Sequence, residues 1–279
     1  MGSEITSQYV SVEGIRLHYL GGGSGDPVLL LHGWPTSSFL WRNIIGKMAE
    51  KNRVIAMDLP GFGQSDKPLD ASYSFRFYTR ILDGFLDALG VDATGLALHD
   101  LGGPVGLYWA CQNPDRLQKL ALLNTLVYPR MSWAVVLFIA ACRTPGLRSY
   151  ISSPGGLKAA MRFGVSDPRR LTEEAVRGVQ APFESRDARR ALLKAGYGLH
   201  PNGLKDIAER LPSFTVPVRI IYGERDRILP DVAKTMRQVA RDLPQAEVTA
   251  LPDCGHFLQE EQPEEIGAML SDFFSAKPS

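Results

Sequence analysis

The stretch Leu96-Ala97-Leu98-His99-Asp100-Leu101-Gly102-Gly103-Pro104-Val105-Gly106 narrows the possible folds of this chain more than any other. A short apolar run ends in a polar residue, then turns through glycines into Val105-Gly106-Leu107-Tyr108-Trp109-Ala110, which reads as a helix. A strand that turns so sharply into a helix has the shape of a nucleophile elbow, with the apical residue exposed at the strand's carboxyl end. The elbow usually carries Ser, which needs a base to become nucleophilic. Asp100 is different, because a carboxylate with an ordinary pKa of about 3.9 is already ionised at neutral pH. Such a group attacks saturated carbon in one step and forms an alkyl ester. That chemistry suits epoxide opening or halide displacement better than ester or amide cleavage.

The surrounding pattern fits a parallel sheet. Tyr9 to Val12 and Ile15 to Leu20 read as strands around a Glu13-Gly14 turn, and Val28 to Leu31 is a continuous apolar strand, as expected where both faces are buried. Gly21 to Asp26 lacks both G-x-G-x-x-G and the P-loop Lys-Ser/Thr, so it reads as a connection, not a phosphate cradle. Helices are expected over Phe39 to Met48 and Phe75 to Leu89, with strands at Arg53 to Met57 and Leu117 to Leu123. After Asn124 the alternation stops. Residues 129–211 show helical patterns broken by Thr144-Pro145-Gly146, Ser153-Pro154-Gly155-Gly156 and Ser166-Asp167-Pro168. Alternation resumes at Val218 to Tyr222, Asp231 to Leu243, Glu247 to Leu251 and Pro263 to Phe274. The expected organisation is an α/β core from residues 1–128 and 212–279, with a helical cap inserted at 129–211.

Bulk composition excludes several partners. The net charge of +1 gives no global field for nucleic acid or membrane, and no nucleic-acid or membrane partner is expected. The charge is uneven, however. Residues 129–211 hold fourteen Lys/Arg against seven Asp/Glu, leaving 17 against 23 elsewhere. The plain reading is solvated Arg on amphipathic helices; a bias toward an anionic substrate or acidic partner is the other. Cys111, Cys142 and Cys254 form no metal or disulfide pattern, which points to reduced thiols and a cytoplasmic location. No metal and no cofactor is expected. Residues 1–8 lack a signal-peptide core. The longest apolar run, Trp133 to Cys142, falls short of the roughly 20 residues a bilayer span needs and reads as a buried or pocket-lining helix. A monomer or homodimer is expected.

Catalytic groups of open α/β sheets gather at the strands' carboxyl ends. One strand runs into His32-Gly33-Trp34-Pro35, one into His99-Asp100, one into Gly223-Glu224-Arg225-Asp226, and the last is followed by Cys254-Gly255-His256. Taken singly, Asp100 reads as a helix cap, Asp226 as a turn residue and His256 as a cap for the next helix. Taken together they give nucleophile, acid and histidine in one chain order at matching strand ends. Among the remaining histidines, His18 reads as structural and His200 as a loop residue; His32 and His99 border the site and orient backbone.

These residues resemble the α/β-hydrolase superfamily, specifically its haloalkane dehalogenase and epoxide hydrolase branch. His32-Gly33-Trp34-Pro35 is similar to the branch's H-G-x-P segment, Asp58-Leu59-Pro60-Gly61-Phe62-Gly63-Gln64-Ser65-Asp66-Lys67-Pro68 to its D-x-x-G-x-G-x-S-D-K-P segment, and His99-Asp100-Leu101-Gly102-Gly103 to its H-D-x-G-G elbow. The resemblance spans roughly residues 9–128 and 212–275. It implies that Asp100 becomes an alkyl ester on a small apolar organic substrate. His256, oriented by Asp226, would activate the water that cleaves the ester. The backbone N–H groups of Trp34 and Leu101 would form the oxyanion hole. The branch's dehalogenases place Trp directly after the nucleophile to bind halide; Leu101 has no donor there. Leu98, where epoxide hydrolases tend to carry Gly, points instead to dehalogenase ancestry. Asn124 stands where some dehalogenases keep their acid and cannot serve. Epoxide opening needs an acid from the cap, and Tyr197 and Tyr150 are the candidates, with Tyr128 a weaker third. The expected substrate pocket is lined by His32, Trp34, Leu101, Phe138 and Phe163. The expected activity is epoxide hydrolysis to a diol; the alternatives are haloalkane or haloacid dehalogenation, or a non-hydrolytic binding or cyclase-like protein on the same scaffold.

Overall fold

A computed structural model describes residues 4–130 and 132–276. In chain order the elements begin with β1 (Thr6–Val12), β2 (Ile15–Gly22), β3 (Pro27–Leu31), α1 (Arg42–Ala49), β4 (Arg53–Met57), α2 (Phe75–Ala88), β5 (Thr94–Asp100), α3 (Gly102–Gln112) and β6 (Leu117–Thr125). A helical block follows: α4 (Trp133–Arg143), α5 (Leu147–Ile151), α6 (Pro154–Gly164), α7 (Glu173–Gln180), α8 (Arg186–Tyr197) and α9 (Pro201–Arg210). The chain then forms β7 (Val218–Gly223), α10 (Val232–Asp242), β8 (Ala246–Leu251), α11 (Leu258–Glu261) and α12 (Pro263–Ser275). The segment expected as one helix from Phe39 starts as a 3₁₀ turn, Ser38–Trp41, before α1.

The sheet has eight strands in the order β1-β2-β4-β3-β5-β6-β7-β8. β1, β2 and β4 pair antiparallel, and every pairing from β4 through β3 to β8 is parallel. The central strands are the continuous apolar runs. Leu29, Leu30 and Leu31 of β3, Leu96 to Leu98 of β5 and Leu120 to Leu123 of β6 are fully buried, because helices cover both faces. The first crossover from β3 leads to β4 on one side, and the chain then returns to place β5 on the other. The strand ends of β3 and β5 therefore flank a topological switch point, where open α/β sheets leave a crevice.

Between β6 and β7 no strand occurs among the described residues, as the broken helical pattern predicts. Serine and threonine side chains start these helices: Ser132, Ser153, Thr172 and Ser185 each accept a backbone N–H of the first turn. The last helix of the block, α9, packs on α3, and the Arg210 guanidinium donates to the Cys111 carbonyl at 3.0 Å. α4 packs on α5 and α8; Cys142 is its only buried residue, so of the two expected readings, buried or pocket-lining, it takes the second, with Val135 and Phe138 lining a cavity.

Candidate active site

Asp100 ends β5 with φ at +49°, in the left-handed region that costs a non-glycine residue about 1–3 kcal/mol. The surroundings hold it there. The Thr125 hydroxyl donates to the Asp100 carbonyl at 2.7 Å. Two glycines leave room: a Cβ at Gly33 would collide with the Asp100 carboxylate, and one at Gly103 with the Thr125 side chain. The reversal throws the Asp100 side chain toward the end of β3. There the Trp34 backbone N–H donates to Asp100 Oδ1 at 2.7 Å, and the Leu101 N–H also bonds the carboxylate. The other oxygen, Oδ2, lies 3.5 Å from His256 Nε2, an ion-pair separation too long for a hydrogen bond.

His256 is fully buried and its Nδ1 donates to Asp226 Oδ2 at 2.8 Å. Asp226 is saturated with donors. Its Oδ1 accepts the Ile228 and Leu229 backbone N–H groups at 2.8 and 2.7 Å, and Oδ2 also takes the Asn124 amide at 2.7 Å. Asn124 holds more than Asp226. It donates to the Gly255 carbonyl at 3.2 Å and accepts from the Gly223 N–H at 2.9 Å, fastening the ends of β6 and β7 and the histidine loop to one another. His99 Nε2 donates to the His256 carbonyl at 2.9 Å. The His256 N–H in turn donates to the Gly164 carbonyl at the end of α6, at 2.6 Å. Glu261 clamps the same loop, accepting the Gly255 N–H at 2.6 Å and the Ser166 N–H at 2.9 Å.

Burial works against charge on His256, yet the carboxylates of Asp226 and Asp100 outweigh it and raise the imidazole to about 10. Burial also pushes Asp100 upward, and the neighbouring His256 and the Leu101 N–H hold it below its ordinary value. The resting arrangement is therefore carboxylate, imidazolium, carboxylate. His99 is pushed down to about 4, chiefly by burial and then by the His256 charge, so it stays neutral and serves as a donor.

A cavity of about 230 Å³ opens above Asp100. Trp34, Leu101, Leu126, Val135, Phe138 and Phe163 form much of its wall, and Arg227 stands at its edge. The Trp34 and Phe138 rings meet edge to face at 4.6 Å. The Trp34 indole N–H is buried and has no partner. Trp34 lines the cavity, so this donor is free beside Asp100.

Four expected site residues lie elsewhere. His32 is not among the cavity's lining residues: its Nδ1 donates to the adjacent Gly33 carbonyl at 2.9 Å, and its Nε2 accepts the Leu59 N–H at 3.1 Å, which ties the end of β3 to that of β4. Tyr197 faces away from Asp100. It lines a separate cleft of the cap and lies beneath the Arg143 guanidinium, 5.2 Å from the ring centre; only its neighbour Gly196 reaches the Asp100 cavity. Tyr150 is 60 % exposed on the outside of α5. Tyr128, the weaker candidate, donates to Asp242 at 2.5 Å and is also outside the cavity. Phe163 does line the cavity, but at its rim, half out in solvent. The motif residue Asp58 is structural, accepting Ser38 N–H, Gln64 N–H and the His18 ring at 2.6–2.7 Å.

Sequence reasoning missed Asn124 and Glu261 as parts of this assembly. Asn124 carried a signal, a polar residue at the end of an apolar strand. Glu261 carried none, because its partners are backbone groups brought together only by folding.

A mostly parallel sheet with a carboxylate at the elbow, two backbone N–H donors on that carboxylate and a buried histidine beside its Oδ2 defines a hydrolase-type site. The family model of the alpha/beta hydrolase fold matches residues 26–263, and the chain belongs to that family, in its haloalkane dehalogenase and epoxide hydrolase branch. It is 32% identical to a haloalkane dehalogenase of Agrobacterium fabrum, with 92% of this chain and 88% of that one covered. It is 29% identical to a soluble epoxide hydrolase of Corynebacterium sp. strain C12, over 99% of both. The crystal structure of the haloalkane dehalogenase DbeA from Bradyrhizobium elkani superposes with a TM-score of 0.86 at 28% identity, covering 98% of each chain.

Proposed function

We propose that this enzyme is an Asp-nucleophile hydrolase of small apolar organic electrophiles whose leaving group departs as a stable anion, as a halide does. The observation that carries this reading is the asymmetry of the Asp100 carboxylate. Oδ1 is held by the Trp34 backbone N–H, the Leu101 N–H also bonds the carboxylate, and Oδ2 faces His256. Oδ2 is then the attacking atom. It displaces the leaving group from saturated carbon and becomes the ester's alkyl oxygen. Oδ1 becomes the ester carbonyl oxygen already seated in its oxyanion hole, so no donor has to move when water attacks.

The charge state of His256 changes with the chemistry. While Asp100 is ionised, two carboxylates keep the imidazole protonated. Esterification removes the Asp100 charge, lowers the imidazole pKa and lets the proton go. Neutral His256 then takes a proton from water, and the resulting hydroxide attacks the ester carbonyl. The alcohol leaves, Asp100 is again a carboxylate, and His256 keeps one proton. The sum is substrate plus water giving alcohol, halide and one proton.

The choice of leaving group rests on the cavity's donors. The free indole N–H of Trp34 suits a departing anion, while no tyrosine faces the cavity among the described residues. An alkoxide, a far stronger base than halide, would need such an acid. A second reading, epoxide hydrolysis, is favoured by Leu101, which puts an apolar side chain where halide-binding relatives have a second donor. Incubation with matched haloalkanes and epoxides separates the two. Halide release without diol formation is expected. Diol from the epoxides with no halide from any haloalkane would replace this reading with the second.

A further inference from the structure

Helix α4 is apolar on the wrong side. Residues 133, 136, 137 and 140, the i, i+3, i+4, i+7 stripe that normally packs on a core, are Trp, Val, Leu and Ala, and they face solvent. Trp133 is 67 % exposed and Leu137 59 %. The opposite side of α4 is apolar for a clear reason, since Val135 and Phe138 line the cavity. The outer stripe has no such reason. It continues into α5, where Leu147 and Tyr150 lie open within a run, 143 to 150, that is exposed throughout. Single exposed apolar side chains are ordinary; a contiguous group of them marks a surface that something covers.

The flank of this patch is cationic. A cleft of about 710 Å³ lies where the end of α4 and α5 meet α8, and Arg148, Arg186, Arg189, Arg190 and Lys194 line it against a single acid, Asp187. Arg190 pairs with Asp187 at 3.2 Å, while Arg148 and Arg186 have no acidic partner among the described residues. The surplus belongs to the whole cap segment, where Lys/Arg exceed Asp/Glu by two to one.

We propose that this face of the cap docks on an anionic lipid bilayer, with α4 lying in the interface and the neighbouring cleft taking lipid phosphates. At 1.5 Å per residue the eleven residues of α4 measure about 16 Å, too short to cross a hydrocarbon core of about 30 Å. A Trp- and Leu-bearing apolar stripe bordered by arginines is the composition of a helix that lies in a membrane surface instead. Charge decides between this occupant and a second copy of the chain. A twofold interface would bring the same basic face against itself, whereas an anionic bilayer neutralises it. This goes against the expectation of no membrane partner drawn from the net charge of +1, because a bilayer would meet the basic cap segment and not the sum over the chain. The cavity wall shares α4 with the patch, through Val135 and Phe138 on the helix's other side, so an apolar substrate dissolved in the bilayer would have a short path to Asp100. That last step rests on the proposed hydrolase function; the docking itself does not.

Vesicle flotation of the full chain tests it. Binding is expected to phosphatidylcholine vesicles containing phosphatidylglycerol, weak or absent on pure phosphatidylcholine, and reduced by salt. Trp133→Ser with Leu137→Ser should abolish binding, and Arg148→Gln and Arg186→Gln should each weaken it about fivefold. Circular dichroism and unchanged turnover of a water-soluble substrate would show these variants folded. Failure of the folded parent chain to float with anionic vesicles overturns the proposal. So does equal binding to neutral vesicles, or binding indifferent to all four substitutions. Concentration-dependent dimerisation in the ultracentrifuge that Trp133→Ser removes would also overturn it and give the face to a second copy. A catalytically dead but vesicle-binding chain would sink the hydrolase reading and leave the docking standing.

Discussion

At the strand ends nearly every polar atom has a partner; in the cap the cations outnumber theirs. Asp226 takes four donors and Asn124 spans three loops, and both are buried. Arg148, Arg186 and the apolar stripe of α4 are exposed and largely unengaged. A site that must hold three ionisable groups within a few ångströms needs every lone pair directed, because an unpaired buried group costs about 1–3 kcal/mol. A surface that meets something else keeps its binding groups free. In the first region the exceptions are the Trp34 indole N–H, His99 Nδ1 and His256 Nε2, and of these Trp34 is the one whose residue lines the cavity.

The contrast can be broken at several points, taken here from the largest expected effect to the smallest. Asp100→Asn should lower turnover by about 10⁴-fold or more, with mass spectrometry checking that the amide has not reverted. Stable, near-normal activity in that variant would remove Asp100 as nucleophile. His256→Phe should cost about 10²–10⁴-fold in turnover while still letting the ester form, and peptide mapping should find the adduct on Asp100. An adduct elsewhere contradicts the division of labour.

Trp34→Phe keeps the ring but deletes the free N–H. About 10²-fold slower halide release is expected from loss of one such donor, with little change in melting temperature. Equal rates in the two proteins would show that the indole serves packing alone.

His256 also makes stability depend on pH. Its native pKa is raised to about 10 from an ordinary value near 6.5. The stabilisation is complete below about pH 6.5 and is lost as pH rises through the native value. Urea unfolding should therefore weaken from about pH 6.5 to 10, and less steeply in Asp100→Asn, where one of the two carboxylates is gone. Parallel slopes in both proteins would contradict the coupling.

Tyr197→Phe should change turnover of any substrate less than about twofold, because the ring lies under Arg143 in the cap cleft. A loss of about 10²-fold on epoxides would restore it as a proton donor.

Most of the core could be read from the chain because the features that build it are local. Continuous Leu and Val runs declare buried parallel strands, and Asp100 between an apolar run and Gly102-Gly103 declares the elbow. Asp226 and His256 were found by their places after strands, and the structure sets them 2.8 Å apart. The cap tyrosines were not legible. Helical periodicity fixes which residues share a face but not which face turns inward, so Gly196 meets the Asp100 cavity while Tyr197 points elsewhere. α4 was legible in part: it lines the cavity as one of its two readings has it, but a helix apolar on both sides does not show that its other face is exposed. His32 was adjacent to the site in sequence, yet its two ring nitrogens are spent on the backbone.

The 2.6 Å bond from the His256 N–H to the Gly164 carbonyl joins the base directly to the end of a cap helix. Glu261 reinforces the junction by gripping Gly255 on one side and Ser166 on the other. A cap that swings outward at α6 must break this junction, and the imidazole then loses a restraint that aims it at Asp100. The base and the wall of the cavity are thus fastened at one point of the fold. Under the proposed mechanism, a shift of α6 would disturb the wall of the cavity and the base that serves it in one movement.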